Sequence, residues 1–112
     1  MKKDDCIFCK IANGDFGTEF ILETDDIVAF RDINPQAPEH ILVIPKNHYE
    51  NILEIEDSEL LAKLMHGVQE VSKKIGLNEF RTVINTGKQA GQTVFHVHIH
   101  MLGGKELKAS FD

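Results

Sequence analysis

Near its C-terminus the chain reads Gln92-Thr93-Val94-Phe95-His96-Val97-His98-Ile99-His100-Met101-Leu102, so three of its six histidines alternate with apolar residues. Strict alternation predicts a β-strand. The side-chain period of 2 puts His96, His98 and His100 on one face and Phe95, Val97, Ile99 and Met101 on the other. Same-face neighbours then stand about 6.8 Å apart. One face can anchor the strand to a core while the other presents a row of imidazoles. Imidazole is the side chain whose unperturbed pKa allows a neutral nucleophile or a charged donor near pH 7. The row reads as a chemical site or a metal site, against the plainer reading of a solvated polar face.

The bulk numbers narrow the setting. A length of 112 residues predicts one domain spanning 1–112, with 42% hydrophobic and 27% charged residues as in ordinary globular chains. A core this small favours burying more surface by dimerisation. The net charge is −6 and no Lys/Arg cluster gathers on a face, which argues against nucleic acid as a partner. No apolar run is long enough for a membrane span, and the charged start Met1-Lys2-Lys3-Asp4-Asp5 is unlike a signal peptide. These features predict a cytoplasmic protein with no membrane partner. In that compartment the C-x-x-C pair Cys6 and Cys9 is not expected to form a structural disulfide.

Along the chain, Asp4-Asp5 precedes Cys6-Ile7-Phe8-Cys9-Lys10-Ile11, which predicts a capped short helix ending near Asn13-Gly14. Residues 19–23 and 26–31 read as two strands joined by a tight hairpin at Thr24-Asp25. Asn34-Pro35-Gln36-Ala37-Pro38 is a rigid turn, and His40-Ile41-Leu42-Val43-Ile44 is a buried strand closed by Pro45. Asp57 caps a helix from Ser58 to Ile75, whose stripe is Leu60, Leu61, Leu64, Val68, Val71 and Ile75, with Gly76 just beyond its end. Residues 81–85 form another strand, and a glycine-bearing loop over 86–92 leads into the histidine strand. The order predicts an α+β fold: an antiparallel five-stranded sheet with one long and one short helix packed on it.

The run His96-Val97-His98-Ile99-His100-Met101-Leu102 resembles the motif of the histidine triad (HIT) nucleotide-binding family. Cys6–Ile11, Ala29-Phe30-Arg31-Asp32-Ile33, Pro35–Pro38, His40–Lys46 and Leu102-Gly103-Gly104 are similar to that family too, so nearly the whole chain is covered. The Leu-Gly-Gly ending resembles the purine nucleoside phosphoramidase branch. The dinucleoside polyphosphate hydrolase branch usually carries proline and arginine there.

The resemblance implies that His98 is a nucleophile that attacks the phosphorus of a P–N bond in a purine nucleoside 5′-phosphoramidate. A backbone carbonyl would fix its tautomer. His96, His100 and His40 are the implied neighbours, with His100 and His40 donating to phosphate oxygens or tuning His98. Thr93, where relatives commonly carry serine, would help protonate the leaving amine. A nucleotidyl-His98 intermediate would then yield to water and release the nucleoside monophosphate. Gly91 and its loop can offer backbone N–H groups to phosphate, although glycine in a hairpin loop is ordinarily just turn geometry. The resemblance also puts the base among Ile7, Phe8, Ile11, Phe30 and Ile33, Asp32 on the ribose hydroxyls and Asn85 on the phosphate side. Read without it, the five apolar residues are better taken as plain core, and Asp32 could equally be a turn residue before Asn34-Pro35. The chain stops at Phe111-Asp112. Relatives often carry a longer tail with tryptophan and proline that shapes the partner subunit's site, so leaving-group preference stays open.

Cys6 and Cys9 supply half of a tetrahedral zinc site. Some bacterial members of the resembled family complete it with histidines at the positions of His48 and His96. The alternative is a reduced pair with a packing role. Redox use lacks the thioredoxin βαβ context, and His66 reads as an ordinary surface or interface residue. Catalysis itself is expected to need no metal, because histidines and loop amides can neutralise one α-phosphate. The long helix and the strand over 80–85 are expected to form a homodimer that extends the sheet across a two-fold axis, as the resembled family does. Three alternatives remain open: dinucleoside polyphosphate hydrolysis on the same nucleophile, a metal-binding protein with an ion on His96, His98 and His100, and nucleotide binding without turnover.

Overall fold

The computed structural model describes residues 2–108, so Phe111 and Asp112 lie outside the described residues. Five strands, β1 (Leu22–Glu23), β2 (Ile27–Arg31), β3 (Glu39–Pro45), β4 (Phe80–Val83) and β5 (Ile99–Gly103), form one sheet in the order β1-β2-β3-β5-β4. Every neighbouring pair is antiparallel. Two α-helices accompany it, α1 (Ile7–Ala12) and α2 (Ser58–Ile75). This is the α+β architecture that the element order predicts.

Each face of the sheet buries a different cluster, and this division places the site. On one face, Ile27, Ala29, Ile41, Val43, Ile99 and Met101 pack against Leu60, Leu64, Val68 and Val71 of α2. The helix is held by the Asp57 side chain, which accepts from Glu59 N–H, and by left-handed Gly76 at φ 69°. Leu61, assigned to the buried stripe by its spacing, is 39% exposed because it lies on the outer shoulder of α2. On the other face, Cys6, Phe8, Cys9 and Ala12 cover Val28, Phe30, Leu42 and Ile44. α1 is too short to roof that face, and its central row, Phe30–Leu42–His100–Val83, runs out from under the helix.

Several boundaries differ from the sequence reading. The cap of α1 is the Cys6 thiol, which accepts from Cys9 N–H, and not the aspartates before it. β1 is only two residues long, because the chain before it runs as irregular backbone along the sheet edge. Pro45 is the last residue of β3, paired with Ile27 at a non-hydrogen-bonded position, so its missing N–H costs the β2–β3 ladder nothing. β4 stops at Val83, leaving Ile84 and Asn85 in irregular backbone.

The histidine segment departs most. Only Ile99–Gly103 is strand. The β3–β5 ladder ends at Val43↔Ile99 because Pro45 brings no N–H and its carbonyl oxygen lies 2.8 Å from His96 Nε2. Val97 N–H turns instead to Tyr49 O at 2.7 Å. Val97, Ile99 and Met101 stay buried as the alternation requires, but Phe95, beyond the ladder, is 45% exposed.

Candidate active site

The row of three histidines divides between two sites. His98 and His100 line a cleft of about 600 Å³ on the α1 face of the sheet. His96 is fully buried and does not line it. Its Nδ1 lies 3.3 Å from Cys6 Sγ and 3.5 Å from Cys9 Sγ. The three imidazoles therefore do not converge on one ion, and the reading with a metal on all three is set aside.

Hydrogen-bond partners settle the tautomers in the cleft. His98 Nδ1 is 2.7 Å from the His96 carbonyl oxygen. A carbonyl can only accept, so Nδ1 carries the proton and Nε2 keeps its lone pair. His40 Nδ1 accepts from Gln36 N–H at 3.0 Å, which puts the proton of that ring on Nε2. His40 Nε2 is 2.9 Å from His100 Nδ1 and donates to it, so His100 carries its own proton on Nε2. The cleft thus holds one imidazole lone pair and one imidazole N–H on rings whose centroids are 4.8 Å apart. Burial pushes His98 below the ordinary histidine range, and it lowers His100 to about 4 with His98 and His40 adding to the shift. Both rings are neutral near pH 7.

The predicted nucleoside residues meet here. Ile7, Phe8 and Ile11 of α1 line the cleft together with Phe30, whose ring meets Phe8 edge to face at 5.9 Å, and Ile33, 91% exposed, stands at its rim. Phe8 also meets His98 edge to face, with ring centroids 5.1 Å apart. Asp32 lines the cleft with Oδ2 3.6 Å from His40 Nε2. Its Oδ1 accepts from Asn34 N–H at 2.9 Å, so it is a turn residue as well. Asn85, Gly91 and Thr93 also line the cleft. Gly91 N–H already donates to Lys88 O at 3.1 Å, which withdraws it as the expected phosphate donor. What Gly91 contributes is φ 96° and room beside Asn85, whose Nδ2 would be 3.9 Å from an added Cβ.

Sequence reasoning did not single out Thr18, Arg31, Asn34 or Gln36, which also line the cleft. Gln36 and Asn34 belong to the predicted proline turn, but nothing in that pattern shows a main-chain amide aimed at His40. Arg31 is ion-paired with Glu39. His66 is exposed beside Gln69, as its place on α2 suggests.

The second cluster joins Cys6, Cys9, His48 and His96, whose ligand atoms all lie within 4.8 Å of one another. His48 Nδ1 is 3.4 Å from Cys9 Sγ. An N···S edge of a zinc tetrahedron measures roughly 3.5 Å from ordinary Zn–S and Zn–N lengths, so the observed separations fit the ion. His96 donates Nε2–H to Pro45 O, which leaves Nδ1 as the ligand. Each sulfur accepts a backbone N–H at 3.4 Å, Cys6 from Cys9 and Cys9 from Lys3. Burial raises the Cys6 thiol above its ordinary value and lowers His96 to about 4. A divalent cation would offset the cost of a buried thiolate. His48 Nε2 is buried without a partner among the described residues.

Comparisons with known proteins place this geometry. Protein HitA of Neisseria gonorrhoeae is 48% identical over 103 residues, 89% of this chain and 96% of that protein. A histidine triad protein from Clostridium difficile superposes with a TM-score of 0.93 at 40% identity, covering 98% of this chain and 99% of that one. A HIT family hydrolase from Legionella pneumophila superposes with a TM-score of 0.88 at 42% identity, covering 94% and 97%. The HIT domain model matches residues 13–107, and the chain belongs to the HIT domain family.

Proposed function

We propose that this protein is a nucleotide hydrolase that cleaves the P–N bond of purine nucleoside 5′-phosphoramidates through a nucleotidyl-His98 intermediate. The observation that carries the reading is the pairing of a His98 Nε2 lone pair with a His100 Nε2–H in one cleft, each set by its partner on the other ring nitrogen. His98 Nε2 attacks the α-phosphorus, and the P–N bond breaks. The leaving amine takes a proton from the Thr93 hydroxyl or the His100 N–H. The resulting imidazolium is stabilised through Nδ1–H by the His96 carbonyl. Water then attacks phosphorus, returns the proton to the donor and releases the nucleoside monophosphate. The base lies against Ile7, Phe8, Ile11, Phe30 and Ile33, and Asp32 accepts from the ribose. The hydrolase reading is supported by the Legionella relative, which carries that description.

Dinucleoside polyphosphate hydrolysis would use the same nucleophile. It requires cationic side chains for the additional phosphates. Among the described residues lining the cleft only Arg31 is a lysine or arginine, and Glu39 neutralises it, which favours the smaller substrate. Turnover of adenosine 5′-phosphoramidate to AMP, assayed with and without chelator, tests the reading. Equal initial rates are the expected result, and a rate restored only by added Mg²⁺ would overturn the metal-independent chemistry.

Zinc at Cys6, Cys9, His48 and His96 is proposed as a structural ion that ties α1 to the segment ahead of β5. Elemental analysis after reducing, chelator-free purification should find about one zinc per chain. The protein is further proposed to act as a cytoplasmic homodimer. Supporting the dimer, β4 is an edge strand, and Leu61 and Met65 are exposed one turn apart on α2. Sedimentation at micromolar concentration should show a dimer.

A further inference from the structure

One buried polar side chain beside the cleft takes no part in the chemistry above. Gln92 is 2% exposed. Its Oε1 accepts from Gly87 N–H at 2.8 Å, and its Nε2 donates to Glu50 O at 2.6 Å and to Val94 O at 3.1 Å. Its backbone N–H donates to Gly87 O at 3.1 Å. The orientation of the amide is unambiguous, because carbonyls only accept and N–H groups only donate. The loop it serves has no sheet ladder to hold it. Gly87 and Gly91 adopt left-handed φ values of 90° and 96° around a single 3₁₀ turn, Lys88–Ala90. On either side of Gln92 stand Gly91 and Thr93, both lining the cleft with His98 and His100.

Burying a primary amide is costly unless every polar atom is satisfied, so a residue this enclosed makes a rigid fastening. Its three partners come from three places: the start of the loop, the chain just after His48, and the chain just before His96. Resting on the phosphoramidase reading, we propose that Gln92 is a positioning residue: it clamps the 87–92 loop and so fixes where the Thr93 hydroxyl stands relative to the α-phosphate and His98. The base and ribose contacts come from α1, β2 and Asp32 and do not pass through this clamp.

Gln92→Met tests the idea, because methionine keeps the length of the side chain and deletes its three hydrogen bonds. The experiment compares kcat for adenosine 5′-phosphoramidate and the dissociation constants of AMP and adenosine, with circular dichroism as a check of folding. The variant should lose about 100-fold in kcat, the scale of a group displaced by near 1 Å. Adenosine affinity should stay within about threefold, while the advantage of AMP over adenosine shrinks by at least about fivefold, near 1 kcal/mol. An unchanged AMP advantage with kcat within threefold of wild type would overturn the clamp, as would adenosine affinity falling in step with AMP. Wild-type protein that binds AMP but does not turn over the phosphoramidate would overturn the functional reading instead. The clamp is then judged on the AMP-to-adenosine ratio.

Discussion

His98 Nδ1 lies 2.7 Å from the carbonyl oxygen of His96, two residues earlier in the chain. His96 is thereby shared between two sites. Its ring belongs to the cysteine cluster, and its main chain orients the ring that faces the cleft. The contact forms because the chain has left the β3 ladder at Pro45, which frees the His96 carbonyl for a side chain.

Replacing His98 with asparagine should remove turnover and preserve the fold. Asparagine is close in size, and its side-chain N–H can still reach the His96 carbonyl. Product formation should fall by at least about 10³-fold, as for loss of a covalent nucleophile. A His98→Asn variant that retains more than a few per cent of the rate would place the nucleophile elsewhere.

Asp32→Ala separates ribose recognition from turn geometry. Asp32 accepts from Asn34 N–H and also lines the cleft. Loss of a charge-assisted hydrogen bond to ribose should weaken AMP by roughly 10-fold, about 1.5 kcal/mol, and leave inorganic phosphate unaffected. AMP should also bind wild-type protein more tightly than ribose 5-phosphate, through apolar contact of the base with Phe8 and Phe30. Calorimetric titration giving equal affinities for AMP and ribose 5-phosphate would remove the base pocket.

The folded protein holds His100 neutral down to about 4, below its ordinary 6.5, because the ring is partly buried and faces His98 and His40, with Asp32 opposing the shift. The unfolded chain takes up that proton first. The contribution of His100 to stability is therefore full above pH 6.5 and is lost progressively as pH falls toward 4. After allowing for partial exposure this amounts to about 1–2 kcal/mol. Urea midpoints at pH 7 and pH 4.5 should differ less in His100→Asn than in wild type. Identical pH dependence in the two proteins would refute the assignment.

Gly103→Ala should destabilise the sheet. A Cβ at this position would stand 2.9 Å from the Glu79 carbonyl oxygen and 2.9 Å from Leu77 Cδ1. Backbone cannot yield as a flexible side-chain end can, so a cost of about 1–3 kcal/mol is expected from overpacking. Chemical denaturation showing a change under 0.5 kcal/mol would mean that the α2–β4 connection moves more freely than this packing implies.

How much of this was legible in the sequence depended on whether the signal was periodic. The boundaries of α2 were readable because Asp57, the apolar stripe and Gly76 each speak locally. Alternation correctly separated Val97, Ile99 and Met101 from the histidines, but it could not show that Pro45 ends the ladder before His96 or that Phe95 lies outside the core. The cleft residues follow from family resemblance alone. Periodicity alone left Phe8 and Phe30 indistinguishable from ordinary core, which they also are. Gln36 and Gln92 were invisible as site residues. Their roles arise from contacts between segments, a main-chain amide meeting His40 and a side chain reaching Glu50, that no local pattern encodes.

His98 is tested as the nucleophile by a quenched reaction of wild-type protein with adenosine 5′-phosphoramidate, followed by peptide mass spectrometry under conditions that preserve phosphohistidine. Adenylate attached to His98 in the wild type, and absent from His98→Asn, is the predicted result. Steady turnover with no adduct on any residue, or with adenylate on His96 or His100, would contradict it.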